Sequence, residues 1–480
     1  MAGSRVNDTL NMPACITCGK EFKTEGTLTF HTNKNICKAA NTVEIHKAGA
    51  EGEGEGEFRK TSEQFNKTLT KEVRMDEGIF FTPRKARSLL FDTLEKLKVK
   101  PSSILEPSFG SGEFLFDMQR LYPKAKITGV EKNEQLFNSV KVKSITTNQG
   151  DFLEWSSAGK YDLIVGNPPY FTVSTEGLST AEKRAFSRQH SNCMTGRPNM
   201  YILFLYKCLK DHLALNGYLA FIIPTSLYNC SYYQPMRDYI IENTEICHVE
   251  TLNKPGFYEA GIDTMLLILR NSVPTTNFIY KAKNGLSYIT PFYKELSDLT
   301  DGTTTIQEMG LSAKTGNIVW NQEKESLSDE GTLLIYSSNI KNSTLILNNL
   351  LGKEKKQYVK GLTKPTLSGP VILVERGYGN NFNFNTALVD YPSFYAENHL
   401  NVIYAEGVPN ALSKLQEIRR SFQDPRTMLF VKWFIGNGML SASELTTILP
   451  IFQASPRLEE FITLLQTTSK QEKMKLLAEV

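Results

Sequence analysis

Asn167-Pro168-Pro169-Tyr170 is a run of residue types suited to gripping a flat ring that carries an amino group. An amino nitrogen conjugated to a ring is a weak nucleophile, because its lone pair is delocalised. A site that uses it must accept hydrogen bonds from both of its N–H donors. The side chain of Asn167 offers one carbonyl oxygen, and the backbone carbonyl of Pro168 can offer a second. Proline has no N–H, fixes its own φ and restricts the residue before it. The loop is therefore stiff and carries few competing donors. Tyr170 supplies a flat face for stacking. The run closes Leu163-Ile164-Val165-Gly166, which reads as a buried strand. It thus sits at a strand's carboxyl end, where open α/β sheets place their ligand chemistry. Taken alone, the four residues also describe a strand ending in a Pro-Pro turn with a rim aromatic.

Three upstream elements must position that loop. Ile104 to Leu115 reads as strand, glycine turn and helix start, with Glu106, Pro107, Gly110 and Gly112 in the turn. Glycines there let backbone approach a ligand closely. Ile127 to Asn133 is a second strand ending in Glu131, an acid able to accept from both hydroxyls of a ribose. Gln149 to Leu153 places Asp151 where it can accept from an adenine amino group, with Phe152 against the ring. Each has an ordinary reading as well: a turn, a surface glutamate, a helix cap. Their order and spacing ahead of Asn167 point together to a nucleoside cofactor.

On these residues the chain resembles the gamma-class N6-adenine DNA methyltransferases of the type II restriction–modification kind. The likeness extends to Gly78 through Arg84, which is similar to that family's methionine-binding segment. It also takes in Asn199 to Leu205, Gly217 to Pro224, and the pair formed by Gly256-Phe257 and Thr264 to Leu269. It runs from about Gly78 to Leu269 and is looser beyond. The resemblance implies an α/β, Rossmann-like domain that uses S-adenosylmethionine, followed by a target-recognition domain, with double-stranded DNA as substrate. It implies that Asn167 and the Pro168 carbonyl, stiffened by Pro169, hold the target amino group. Tyr170 would stack on the extruded adenine, and Phe257 occupies the position of a second stacking aromatic. Thr82, Glu106, Pro107, Gly110, Gly112, Glu131, Asp151 and Phe152 would line the cofactor. Extruding a base costs a few kcal/mol and one aromatic stack returns about 1–3 kcal/mol, so two stacking partners are expected. No strong base is required, since the nitrogen loses its proton only after gaining the methyl group; the six histidines form no dyad. The same tetrapeptide occurs in RNA and protein-glutamine methyltransferases, and a methyltransferase-like DNA-binding protein without activity is a further reading.

The amino terminus carries a separate signal. Cys15-x2-Cys18, His31 and Cys37 have zinc-finger spacing, and Phe22 and Leu28 stand where a small ββα finger needs its core. So short a unit would draw its folding energy from the metal. Its base-reading positions would be Thr24, Thr27 and Phe30, none of which makes a strong bidentate base contact. Auxiliary DNA affinity or a protein contact is expected. The Gly-Glu repeat of 49–57 reads as a flexible acidic tether. Finger and tether together are unusual for a bacterial enzyme and point toward a eukaryote or a large DNA virus.

The expected division is a finger at 12–40, a linker at 41–58, a catalytic domain at 59–272 and a recognition domain at 273–480. No apolar run is long enough to span a membrane and no signal-peptide core is present. Seven cysteines, an odd number, fit a reducing intracellular compartment. The net charge of +3 does not prove nucleic-acid binding. Basic residues do cluster beside aromatics, at Lys353, Lys355, Lys356, Lys360 and Lys364 with Tyr358, and at Arg419, Arg420, Arg426 and Lys432 with Trp433. The polar segment 171–198, with Lys183, Arg184, Arg188 and Arg197, reads as a long loop facing DNA. Glu375 to Asn381 is a candidate base-reading loop, and Leu440 to Leu445 a short closing helix. A monomer on DNA is the favoured state.

Overall fold

The computed structural model describes residues 58–69, 78–140, 142, 144–173, 178–196, 199–252, 263–352, 354–377, 384–435 and 439–453. In chain order the first half contains α1 (Lys60–Thr68), α2 (Arg84–Lys96), β1 (Ser103–Glu106), α3 (Glu113–Leu121), β2 (Lys126–Glu131), α4 (Glu134–Ser139), β3 (Ile145–Gln149) and β4 (Tyr161–Gly166). It continues with α5 (Thr180–Gln189), α6 (Met200–Lys207), β5 (Leu213–Pro224), α7 (Gln234–Asn243), β6 (Glu245–Leu252) and β7 (Thr264–Arg270).

Strand residues alternate between two buried clusters, as a two-residue repeat requires of a sheet covered on both faces. Ile104 of β1, Leu163 and Val165 of β4, and Ala220 and Ile222 of β5 share one face with Leu90 and Leu94 of α2 and Leu115 and Met118 of α3. Leu105, Ile164, Leu219, Phe221 and Ile223 share the other with Tyr201 to Leu205 of α6 and with Met236 and Ile240 of α7. The seven strands run in the order β3-β2-β1-β4-β5-β7-β6. β1 through β5 pair parallel, and β7 pairs antiparallel with both β5 and β6. The chain thus forms the mixed α/β sheet of a Rossmann-like domain, with the order reversing at β1.

The second half builds separate cores. Strands Ser312–Thr315, Leu400–Tyr404, Val371–Glu375 and Thr386–Val389 form an antiparallel sheet. Ile372 and Val374 pack toward Leu415, Ile418 and Phe422 of the helix Ala411–Phe422. Val371 and Leu373 pack toward Leu333, Ile335 and Phe394 of a second four-stranded sheet. The closing helix is Ala442–Thr447, entered through a capping box between Ser441 and Glu444. By contacts the chain divides into Met1–Arg59 and Lys60–Val480. The expected boundary near residue 272 falls inside the second of these units. Asn229 Nδ2 donates to the Phe434 carbonyl at 2.9 Å across that boundary, and Arg237 lies over the Tyr288 ring.

The segment 171–198 is not loop throughout. Ser179 and Glu182 form a reciprocal capping box that starts α5. A bridge between Thr172 and Asn199 ties the two ends of the segment together, and Cys193 and Met194 are buried in the core beneath it. The zinc-finger residues Cys15, Cys18, His31 and Cys37 lie outside the described residues, as do Phe257, Lys353 and the segment Tyr378 to Asn381. Among the described residues no group of three or more His, Cys, Asp or Glu could hold a metal ion, and no helix is long and apolar enough to cross a membrane.

Candidate active site

Parallel pairing sets Ile104 beside Leu163 and Leu105 beside Ile164. The loops leaving β1 and β4 therefore start side by side. Gly166 at the end of β4 faces Pro107, and a Cβ there would meet Pro107 Cδ at 3.4 Å, an ordinary packing contact. A third strand of chain is laid across them. Gly78 has φ +67° and packs so tightly that a Cβ would stand 2.7 Å from Pro169 Cβ and 2.8 Å from a ring carbon of Phe171. Only glycine meets both demands.

This segment fixes the amide of Asn167. Its Nδ2 donates to the Phe80 carbonyl at 3.2 Å and to Thr82 Oγ1 at 3.0 Å. A backbone carbonyl can only accept, so the –NH2 end of the amide must face Phe80. Oδ1 then points away, toward the hydroxyl of Tyr170, which donates to Asn167 Oδ1 or to the Ile222 carbonyl 2.7 Å away. Burial pushes the Tyr170 phenol well above its ordinary range, so it stays a donor. Asn167 is partly exposed, while Pro168 is buried. The Tyr170 ring is only 7% exposed and meets Tyr201 edge-on at 6.2 Å. The face expected to receive a base is interior in this arrangement. Asn199 caps α6 and also donates to the Tyr170 carbonyl at 3.3 Å, so α6 holds the far end of the loop.

The glycine turn is equally constrained. Gly110 and Gly112 have φ +52° and +84°. The Gly110 amide donates to Glu131 Oε2 and the Asn133 amide to Glu131 Oε1, both at 2.8 Å. Glu131 thus couples the end of β2 to the turn after β1. Asp151 accepts from Lys132 Nζ at 2.8 Å and from the Leu153 amide at 2.9 Å. Burial works to raise its carboxyl, but these partners outweigh it and hold the group below the usual range. Phe152 is 2% exposed, packed against Phe204 at 4.9 Å and Trp155 at 6.1 Å. It forms the floor of this turn, with its ring interior. Lys207, which sequence reasoning missed, ties the turn down. Its Nζ donates to the carbonyls of Leu153 and Trp155, each at 2.7 Å.

Beneath the turn lies a buried charged network that local sequence does not reveal. Arg87 of α2 meets Asp117 Oδ2 at 2.7 Å and Glu113 Oε2 at 2.9 Å, and donates to the Thr82 carbonyl. Ser62 of α1 donates to Glu113 and lies 2.7 Å from Ser111 Oγ. Glu106 is 1% exposed, and burial, then the charges of Glu131 and Asp117, push its carboxyl well up. Its Oε2 and the Ser108 hydroxyl are buried without a protein partner. Thr82, Glu106, Pro107, Gly110, Gly112, Glu131, Asp151 and Phe152 thus line the carboxyl ends of adjacent strands and the segment laid over them, beside Asn167.

The three basic groups differ in kind. Lys356, Lys360 and Lys364 pair with Asp329, Glu330 and Glu323, and Lys355 lies over Trp320 and Tyr336. Arg426 pairs with Asp424 and lies over Phe452, and Trp433 stacks on Phe292. These charges are engaged within the fold. Lys183, Arg184 and Arg188 of α5 are exposed and, with Thr180 and Ser187, line an open recess of about 620 Å³.

Comparison with known proteins gives a family model of the Eco57I restriction-modification methylases, which matches residues 88–257. The type II methyltransferase M.CvrRI of Paramecium bursaria Chlorella virus XZ-6E is 31% identical over 408 residues, 82% of this chain and 99% of the relative. The modification methylase CviBIII of Paramecium bursaria Chlorella virus NC1A is 32% identical over 406 residues, 82% of this chain and 99% of the relative. The type II methyltransferase M.NspV of Nostoc sp. is 32% identical over 179 residues, 32% of this chain and 37% of the relative.

The raised carboxyl of Glu106 gives a pH signature. A folded-state value above the ordinary 4.5 means that ionisation opposes folding. The favourable contribution is complete below 4.5 and is lost as pH rises through the folded value. Glu106→Gln should therefore melt higher than the parent protein at pH 8, and the two should converge at pH 4. Thermal melts of the cofactor-free proteins across that range check this; parallel curves would show that Glu106 ionises freely in the folded state.

Proposed function

Because this chain belongs to the type II restriction–modification methyltransferases, which act on DNA, we propose that it methylates the N6 amino group of adenine in double-stranded DNA, using S-adenosylmethionine and a flipped target base. The observation that carries the adenine reading is the fixed orientation of the Asn167 amide beside the lined cofactor loops. With its nitrogen held by Phe80 and Thr82, its oxygen, which also accepts from the Tyr170 hydroxyl, is the amide atom able to accept from an amino donor.

The residues present fit the cofactor. Glu106 Oε2 and Ser108 Oγ are buried polar atoms without a protein partner; Glu106 ends β1 and Ser108 follows it, ahead of the glycine turn. Thr82, Glu106, Pro107, Gly110, Gly112, Glu131, Asp151 and Phe152 would hold it. When bound, S-adenosylmethionine supplies an electrophilic sulfonium methyl group. Asn167 Oδ1 and the Pro168 carbonyl accept the two amino N–H bonds, which fixes the ring and turns the nitrogen lone pair toward the methyl donor. As the amine gains charge, these acceptors stabilise its more acidic N–H groups. Tyr170 contributes through its hydroxyl as the site stands. It serves as a stacking face only after its ring leaves Ile222, and Phe257 is the second stacking aromatic. Lys183, Arg184 and Arg188 of α5 meet the phosphate backbone near the flipped base, since their charges are exposed at the end of the excursion from Tyr170 to Asn199. The finger residues Cys15, Cys18, His31 and Cys37 bind one zinc ion.

Each part has a measurement. In a methylation-deficient host, the chain should leave N6-methyladenine at one recurrent sequence, read by long-read sequencing of unamplified DNA. Asn167→Ala should abolish the mark while keeping cofactor binding in calorimetry; an unmodified genome with the parent protein, or marks surviving in the variant, contradicts the reading. The triple variant K183A/R184A/R188A should bind specific and random duplexes more weakly. The slope of log K against log salt should shrink by about 0.9 for each phosphate that the variant no longer neutralises. An unchanged slope removes α5 from the interface. Mass spectrometry of metals should find one zinc per chain, absent from a Cys15→Ser/Cys18→Ser variant; a metal-free parent protein rules the finger out.

A further inference from the structure

We propose that Thr82 is a positioning residue for base recognition: its hydroxyl oxygen locks the Asn167 amide with the carbonyl end toward the target amino group. The proposal rests on the reading that Asn167 holds that group. It gives Thr82 a task distinct from lining the cofactor.

A primary amide is nearly symmetric in shape, and only its hydrogen bonds tell oxygen from nitrogen. The wrong orientation would present –NH2 to the –NH2 of the base, donor against donor. Two acceptors prevent this. The Phe80 carbonyl at 3.2 Å and Thr82 Oγ1 at 3.0 Å both take their bond from Nδ2. A flipped amide would face the Phe80 carbonyl with its own oxygen and lose both bonds. On the other side the Tyr170 hydroxyl is a donor held between Asn167 Oδ1 and the Ile222 carbonyl. It favours the same orientation, and it can give its proton wholly to Ile222 when a base engages Oδ1.

The backbone makes Thr82 a stiff partner. It is 3% exposed and precedes Pro83, and Arg87 donates to its carbonyl. Its segment is pinned on the other side by Gly78 against Pro169 and Phe171. The hydroxyl therefore cannot wander from Asn167 without moving the whole strap. Of the two acceptors, only Thr82 can be removed by substitution.

Thr82→Val keeps the branched shape and deletes the acceptor; Thr82→Ser keeps the oxygen. On duplexes carrying the mapped site, Thr82→Val should lose about tenfold in kcat, the scale of one ordinary hydrogen bond. Because Thr82 also lines the cofactor, the readout is kcat at saturating S-adenosylmethionine, where any change in cofactor Kd drops out, and Thr82→Ser should restore turnover. A second readout isolates the amino group. Duplexes with purine in place of the target adenine lack the 6-amino donor, so parent and Thr82→Val proteins should bind them equally. Adenine duplexes should bind the variant more weakly. If Thr82→Val folds poorly in thermal melts, Thr82→Ala carries the same expectations. A raised cofactor Kd with unchanged kcat at saturation would overturn the proposal and leave Thr82 a cofactor contact. Equal losses on adenine and purine duplexes would also overturn it. Full turnover by Asn167→Ala is a separate result, and it would defeat the underlying reading.

Discussion

The parallel pairing of β1 with β4 is the constraint on which everything else in this site depends. Two chain segments far apart in sequence can present their loops at one point only if adjacent strands end together. The register between Ile104-Leu105 and Leu163-Ile164 does this, and it places Pro107 against the bare backbone of Gly166. Once the two loops touch, only a third segment can complete the site. Chain from Gly78 to Arg84 passes over both, with Thr82 reaching Asn167 and its own carbonyl held by Arg87. The amide of Asn167 is thus held from outside its own loop. That loop is rich in proline and therefore has few N–H groups of its own to hold anything.

The charge arrangement under the glycine turn follows a related logic. Glu106, Glu113, Asp117 and Glu131 are all buried, and Arg87 is the cation that meets two of them. Burying so many acids is unfavourable unless each finds a partner or a proton. Glu113 and Asp117 have Arg87, and Glu131 has two backbone amides. Burial and the neighbouring acids push the carboxyl of Glu106 well up, and one of its oxygens is left bare. Such a group favours a ligand that brings positive charge or a donor. The proposed cofactor carries both, on its sulfonium and its ammonium. Under the proposed function, binding there would relieve part of that cost and link cofactor affinity to the pH response.

How much of this could be read in advance depends on distance along the chain. Strands β1, β2, β4 and β5 and the two loops were legible because apolar runs and glycine or proline punctuation are local. The helix of the closing segment was expected from its likeness to related modification enzymes, and it lies at Ala442–Thr447. α5 was missed although its signal was present: Ser179 and Glu182 have the spacing of a capping box, which a reading of polar length overlooks. What no window of sequence displays is who answers a charge. Lys356, Lys360 and Lys364 form a cluster that sequence alone reads as either a phosphate grip or a solvated face; acids at 329, 330 and 323 pair with them. Arg87, Glu113, Asp117 and Lys207 act through tertiary contacts and gave no motif. Thr82 was picked for its likeness to a cofactor segment, while its contact with Asn167 spans 85 residues.

The interior position of Tyr170 changes the energetics of base capture. For its ring to become a stacking face, it must leave a buried site. Exposing a large side chain costs about 1.5–3 kcal/mol, and giving up a hydroxyl contact about 1 kcal/mol more. A base stack returns about 1–3 kcal/mol. The exchange is close to neutral at best, so Tyr170 stacking does little to offset the few kcal/mol of extrusion. The balance must come from elsewhere: phosphate contacts, a second aromatic, and the acceptors of Asn167 and Pro168. The acceptors also decide which base is kept. Guanine or thymine would set a carbonyl oxygen against the Asn167 oxygen and leave both unpaired, a penalty that a hydrogen-bonding site imposes far more strongly than an apolar one. Under the proposed function, selectivity for an amino group would follow from orienting one amide, whose nitrogen is held by the segment carrying Phe80 and Thr82.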